Sequence, residues 1–448
     1  MTFDLVQSTA ALTGDAAGAK APARPGSVAE TGLELLYLAD LLSKQLFEHG
    51  VLDLHRLSRG SALSGAIIEE VCHFLRDEGR VEVRGVGEHG ALRFGLTDRG
   101  RAGALEAFSR DGYAGMAPVP LEDYVRQVNA QAMSAVGIGR REVHAAFADT
   151  VIAPERLDQL GPALHSGRAM FIHGEAGTGK SFIAKRLSRL LPGSVLVPHA
   201  ILVAGKALRC FDPAVHEPLA TSDDSPMARL YLEDGHDPRY IRCRRPCVIT
   251  GGELTLDMLD VQYDPATRVH HAPVQLRANN GMLVIDDLGR QRMEPMELFN
   301  RWIVPLEEGH DYLTLSNGQH FQVPFDVALV LSTNLDPLAL ADPAFLRRIG
   351  YKIRFTPLAR AEYLGIWQQE CEKQALGFDA ALAGVLVDDW HRRAGVPLLP
   401  CHPRDLIGLA QDYLRYRECE REQLTHEALS WAWHNYFGEL GNPEGEAS

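Results

Sequence analysis

The run Gly174-Glu175-Ala176-Gly177-Thr178-Gly179-Lys180-Ser181 constrains this chain more than any other feature, because it fits G-x-x-x-x-G-K-[ST] without a mismatch. A short apolar stretch, Ala169-Met170-Phe171-Ile172, precedes it, and Phe182 to Leu187 follows with helical spacing. The pattern therefore sits between a strand and a helix, the setting that gives it meaning. Glycines let such a loop curl so that successive N–H groups face phosphate oxygens, and the helix N-terminus adds positive partial charge. The expectation is a nucleoside triphosphate, with Lys180 reaching its β- and γ-phosphates and the Ser181 hydroxyl ligating Mg²⁺.

Further along, Met282-Leu283-Val284-Ile285-Asp286-Asp287 is an apolar run ending in two carboxylates. A strand covered on both faces reads this way, and its C-terminal end delivers side chains to the crevice where nucleotides bind. Asp286 is expected to hold Mg²⁺ through water, and Asp287 to orient or deprotonate the attacking water. Acidic residues often follow strands, so the pair gains its force from following a phosphate loop. Val327 to Asn334 gives a second buried strand with a polar end, where Asn334 is expected to bond the γ-phosphate or the lytic water. Arg347 and Arg348 follow a helix-like turn, and Arg404 lies near the start of a helix from Cys401 through Tyr416.

At 448 residues the chain has room for two or three domains. No apolar run approaches the ~18 residues of a membrane span, and Met1 to Leu5 lacks the layout of a secretory signal. The net charge of −14 argues against a non-specific nucleic-acid coat. Cys243 and Cys247 lack a second pair at zinc-ligand spacing, and the seven cysteines are otherwise scattered. A reduced, cytoplasmic protein without membrane insertion is expected.

Residues 1–29 read as a disordered lead, rich in Ala, Gly, Thr and Pro. Residues 30–115 read as helices at Leu33–Phe47, Leu52–Leu57 and Ser64–Glu78, then a β-hairpin around Gly85 to Gly90, then a helix from Thr97-Asp98 to Ser109. That order resembles a winged helix. Its third helix carries Glu69, Glu70, Asp77 and Glu78, and residues 31–115 hold 10 Lys+Arg against 13 Asp+Glu. DNA affinity needs clustered positive charge, so a protein-binding role is favoured. Residues 116–150 are read as a linker (114–121) and a helix, Leu121–Ala135. The spans 151–356, 357–440 and 441–448 are read as an α/β nucleotide-binding domain, a helical lid and a tail. Two hairpins are expected, one around Ala204-Gly205-Lys206 and one through Ser316-Asn317-Gly318-Gln319, where Asn-Gly is a strong turn signal.

In this order, over residues 150–440, these elements resemble the AAA+ ATPases. The resemblance implies an α/β/α P-loop core with a helical lid. It makes 174–181 the Walker A loop, Asp286-Asp287 the Walker B end and Asn334 sensor 1. It also makes Arg347 or Arg348 the arginine finger acting in trans and Arg404 the sensor 2 arginine. The 312–323 hairpin resembles the pre-sensor 1 insertion of MoxR-like chaperone ATPases, and Arg290, Arg292 and Arg301 are read as candidates for a subunit interface. One departure is Asp287, where most of the family carries Glu. Asp is one methylene shorter, and a ~1 Å misplacement can cost ~10²-fold in rate.

The reading is an ATP hydrolase that remodels a protein partner as a homo-oligomeric ring, a hexamer. The alternatives are a DNA-directed ATPase of the helicase-loader or transposition-regulator kind, and a slow ATP-binding switch.

Overall fold

Four α-helices, three of them capped by a side chain, and a hairpin form the N-terminal unit in the computed structural model, which describes residues 21–87, 90–135, 137–219, 236–418 and 423–438. Helix Leu35–His49 leads to β1 (Leu52–Asp53), and helices Leu54–Ser61 and Gly65–Asp77 follow. Then come β2 (Val81–Val86), β3 (Leu92–Leu96) and helix Asp98–Arg110. The Asp53, Ser64 and Thr97 side chains each accept a backbone N–H of the following first turn, removing one orphan donor. The expected helix at Leu52–Leu57 needs correcting, because Leu52 and Asp53 pair with Phe94 and Arg93 of β3 and the helix starts only at Leu54.

Residues 21–29 also depart from the expected disordered lead. The Asp237 N–H donates to the Pro22 carbonyl at 2.8 Å, and the turn Ala29–Thr31 buries Thr31 completely. Residues 1–20 and the tail 441–448 lie outside the described residues.

The chain continues through β4 (Val119–Pro120), helices Leu121–Ala130, Arg140–Ala146 and Pro154–Ser166, then β5 (Met170–Gly174) and the P-loop helix Lys180–Leu187. The expected helix Leu121–Ala135 stops at Ala130. Next are β6 (Ser194–Pro198), β7 (Ala200–Val203), β8 (Lys206–Arg209), β9 (Tyr240–Arg244), β10 (Cys247–Thr250), β11 (Gln262–Asp264), β12 (Val269–His271) and β13 (Gly281–Ile285). Helix Pro295–Glu308, the hairpin β14 (His310–Thr314) and β15 (His320–Pro324), and β16 (Val327–Thr333) follow. Helices Pro337–Leu340 and Pro343–Arg348 then lead to β17 (Tyr351–Phe355).

Five strands form the central sheet, all parallel, in the order β10-β13-β16-β5-β17. Every residue of β13 and β16 is buried, as expected for strands with both faces covered. Successive side chains alternate between two cores. Phe171, Leu283, Ile285, Leu329 and Leu331 meet Phe299, Trp302 and Phe345 on one face. Met170, Ile172, Met282, Val284 and Val330 meet Leu160, Ile183 and Leu187 on the other.

A second sheet, β11-β12-β8-β7-β4, is built mainly from the segment between the P-loop helix and β13. The expected hairpin is present as β7–β8, turning through Ala204 and Gly205 at positive φ. Residues 114–121, read from sequence as a linker, supply its edge, where Val119 and Pro120 pair in parallel with Ile201 and Leu202. This sheet shares a core with the N-terminal unit through Ala117, Ala200 and Ala207. Buried Arg239 pairs with buried Asp237 and donates to the carbonyls of Thr31 and Pro118. The β14–β15 hairpin joins the same sheet's other core through Leu313, Phe321 and Val323.

Helices Arg360–Lys373, Cys401–Tyr416 and His426–Phe437 form the lid around Tyr363, Trp367, Leu406 and Trp433. Among the described residues no helix is long and apolar enough to cross a membrane.

Candidate functional site

The C-terminal ends of β5, β13 and β16 bring the expected residues to one edge of the sheet. β16 lies between β5 and β13, so Asn334 stands between the phosphate loop and the acidic pair. Gly174 ends β5 at φ +143, and a methyl there would lie 2.0 Å from the Phe355 carbonyl oxygen. No other residue fits that approach. Glu175, Ala176 and Gly177 are exposed at the crest of the loop, and Thr178 is buried and donates to the Glu175 carbonyl at 2.8 Å. Gly179 precedes the helix at φ +85.

Lys180 Nζ donates to the carbonyls of Gly174 at 2.9 Å and Glu175 at 2.7 Å, which holds the ammonium inside the loop. Burial pulls its pKa down, while the Asp287 and Asp286 carboxylates push it back up. Ser181 Oγ donates to Asp286 Oδ1 at 2.8 Å and ties the P-loop helix to the end of β13. A hydroxyl and a carboxylate at that spacing, with oxygen donors alone, suit Mg²⁺, which is bound through one or two carboxylates plus water and phosphate.

Asp287 is exposed, and its backbone is left-handed at φ +49. Asn334 Nδ2 reaches Asp287 Oδ1 at 3.4 Å. Leu288 N–H donates to the Ser332 carbonyl, and Thr333 Oγ1 to the Leu288 carbonyl, both at 2.7 Å, so the end of β16 stitches down the turn after Asp287. The sequence placed Thr333 at a strand end but gave no sign of this bond.

The lid meets the loop directly. A methyl on Gly177 would lie 2.8 Å from Cys401 Sγ and 3.3 Å from Leu399 Cδ1, and one on Gly179 would lie 3.5 Å from Pro400 Cγ. The N-terminus of helix Cys401–Tyr416 thus covers the phosphate loop. The core is a P-loop α/β/α fold closed by a helical lid.

Among the solved structures that resemble this chain are three of low identity. NtrX from Brucella abortus has a TM-score of 0.40 and 13% identity over 64% of this chain. This chain spans only 56% of that NtrX chain. The RuvB Holliday junction branch migration motor of Thermotoga maritima has a TM-score of 0.34 and 12% identity, over 68% of this chain and 72% of that one. Domain III of the Thermotoga maritima replication initiation protein DnaA has a TM-score of 0.36 and 11% identity, over 66% of this chain and 98% of that one. At these scores the likeness carries nothing about activity. A family described as a domain of unknown function (DUF8689) matches residues 359–435, which lie within the lid. No curated protein matches the sequence.

The arginines divide. Arg348 is committed to Glu307 at 2.6 Å and to the Ala344 carbonyl at 2.8 Å. Arg347, at the end of the same helix, is exposed and donates through Nε to the Pro343 carbonyl at 3.2 Å. Arg404, expected to point at the nucleotide, instead bonds Asp405 of its own helix at 2.9 Å and lines a surface hollow with Gln374 and Tyr436. Arg301 pairs within the chain, with Asp311 at 2.5 Å, where Asp311 is buried at the foot of the β14–β15 hairpin. That bond ties helix Pro295–Glu308 to the hairpin and commits Arg301 to a partner within the chain. Arg290 and Arg292 lie in the turn before helix Pro295–Glu308.

Proposed function

We propose that the chain is an AAA+ ATPase that hydrolyses ATP at interfaces between its own copies and uses the cycle to remodel a protein partner. The observation that supports this is the Ser181–Asp286 bond at 2.8 Å, which ties the phosphate-loop helix to a carboxylate 105 residues away, where the nucleotide and Mg²⁺ would sit. Bound Mg²⁺ would neutralise charge on the transferred phosphoryl group. Lys180 would hold the β- and γ-phosphates, Ser181 and Asp286 would hold the ion and its water shell, and Asp287 with Asn334 would orient the lytic water. Arg404 would reach the nucleotide on leaving Asp405.

Arg347 is the better finger, because Arg348 is already held by Glu307 and the Ala344 carbonyl. A group that acts on a neighbour's phosphate has to be presented outward, and Arg347 is exposed. A ring, with a hexamer as the working number, follows from a site completed in trans.

Charge pairing in the N-terminal unit supports a winged helix that docks on protein rather than DNA. Arg84 pairs with Glu82, Arg80 and Arg110 with Asp40, and Arg99 with Glu78. Glu69, Glu70 and Asp77 stand exposed on the third helix, where they would repel phosphates.

Subunit mixing tests this reading. Lys180→Ala and Arg347→Ala proteins should each be inactive alone, and mixtures should regain activity at interfaces that combine one intact loop with one intact arginine. Sedimentation of a fully active monomer in the presence of ATP would contradict the proposal.

A further inference from the structure

We infer that Gln291 sets the geometry of the acidic turn, acting as a positioning residue for the ATPase site proposed above, on which this inference rests. Its side-chain amide joins four backbone groups. Oε1 accepts the Gly289 N–H at 2.8 Å, and Nε2 faces the carbonyls of Asp286 at 3.1 Å, Gly251 at 3.2 Å and Asp287 at 3.3 Å. A carboxamide has two donors and one acceptor oxygen, so this one side chain has both functions in use.

These bonds span two strands. Gly251 immediately follows β10, and the Asp286 N–H donates to the Thr250 carbonyl at 2.8 Å, so β10 and the turn after β13 are already neighbours. Gln291 closes the gap from below and fixes the carbonyls of both aspartates. Asp287 needs that support, because its φ of +49 is costly for a residue with a Cβ and persists only where the surroundings over-determine it. Asn334 approaches the Asp287 carboxylate only at 3.4 Å. The direction of that carboxylate is therefore set more by its backbone than by its side-chain partner. Leu288, held by Ser332 and Thr333, anchors the other flank of the same turn.

The four bonds of the Gln291 side chain reach none of residues 174–181, so its loss should slow turnover and spare nucleotide binding. Two variants of the full chain test this. Gln291→Leu removes donor and acceptor at similar size. Gln291→Glu keeps an acceptor for the Gly289 N–H but sets a negative charge against three carbonyl oxygens.

Both variants should lower kcat by ~10-fold or more, since small displacements of a catalytic group are costly. The dissociation constant for a fluorescent ADP analogue should stay within about 2-fold of wild type, as expected when only transition-state geometry is lost. A kcat for Gln291→Leu close to wild type would overturn the inference. So would parallel loss of kcat, nucleotide affinity and Tm, which marks a merely structural residue. Wild-type protein that does not hydrolyse ATP would instead overturn the ATPase reading, and this inference with it.

Discussion

Asn334 Nδ2 lies 3.4 Å from Asp287 Oδ1, a contact between the ends of two neighbouring buried strands. It places the expected sensor beside the carboxylate expected to handle water. Asp287→Asn should keep ATP bound and lower kcat by ~10²-fold or more, the range of a general base. Single-turnover kinetics beside equilibrium binding would check both halves. Unchanged turnover would pass the duty to another carboxylate. Glu253 is the first candidate, since it accepts the Gly251 N–H at 2.9 Å beside the same turn.

The lid should weaken in acid. Burial holds the His391 and His402 pKa values down at about 4, against an ordinary 6.5. His391 Nε2 lies 3.0 Å from Tyr363 Oη, and the two imidazoles stack at 5.4 Å. Below pH 6.5 the unfolded chain takes up protons that the folded lid refuses until about pH 4. The stabilisation is thus complete above pH 6.5 and is lost as pH falls towards 4. Each histidine contributes on the order of 3 kcal/mol across that window. His199, between β6 and β7 and held down at about 4 by burial, adds in the same direction. Thermal unfolding between pH 7.5 and 5 should show the loss. His402→Phe should flatten it, because His402 Nδ1 is buried without a partner. An equally steep fall in that variant would contradict the assignment.

The N-terminal unit should not bind duplex DNA. Its arginines at 80, 84, 99 and 110 are paired with carboxylates, and duplex readers need several phosphate contacts. The test belongs on the full chain, because removing residues 30–115 would strip the cover from Ala200 and Ala207 in the second sheet. Anisotropy titration with a labelled duplex at low micromolar protein should show no salt-dependent binding. Tight binding that weakens steeply with salt would promote the DNA-directed alternative.

What the sequence revealed follows from how locally each feature is encoded. β13 and β16 were legible because burial on both faces writes a continuous apolar run. The hairpin β14–β15 was legible through its Asn317-Gly318 turn, with Gly318 at φ +82. The phosphate loop carries its chemistry in eight consecutive residues. The second sheet was mostly hidden, since β4 has two residues and its partner β7 lies some eighty residues further on. The roles of single polar side chains were hidden as well. Gln291 stands between two arginines with no pattern around it, and nothing in the sequence tells that Arg348 has Glu307 within reach and Arg347 does not. The lid's contact with Gly177 also depends on Leu399 and Cys401, residues whose types signal nothing.

The central claim, that the loop at 174–181 and the carboxylate at 286 form one ATP and Mg²⁺ site, is tested most directly by steady-state phosphate release. Wild-type chain should release phosphate from ATP with Mg²⁺ and stop when the ion is chelated. Lys180→Ala should lose binding or turnover, because it removes the ammonium that the Gly174 and Glu175 carbonyls hold in the loop. Asp286→Ala should lose turnover too, since it removes the partner of Ser181. Nucleotide binding and Mg²⁺-dependent turnover undiminished in Lys180→Ala would contradict the account.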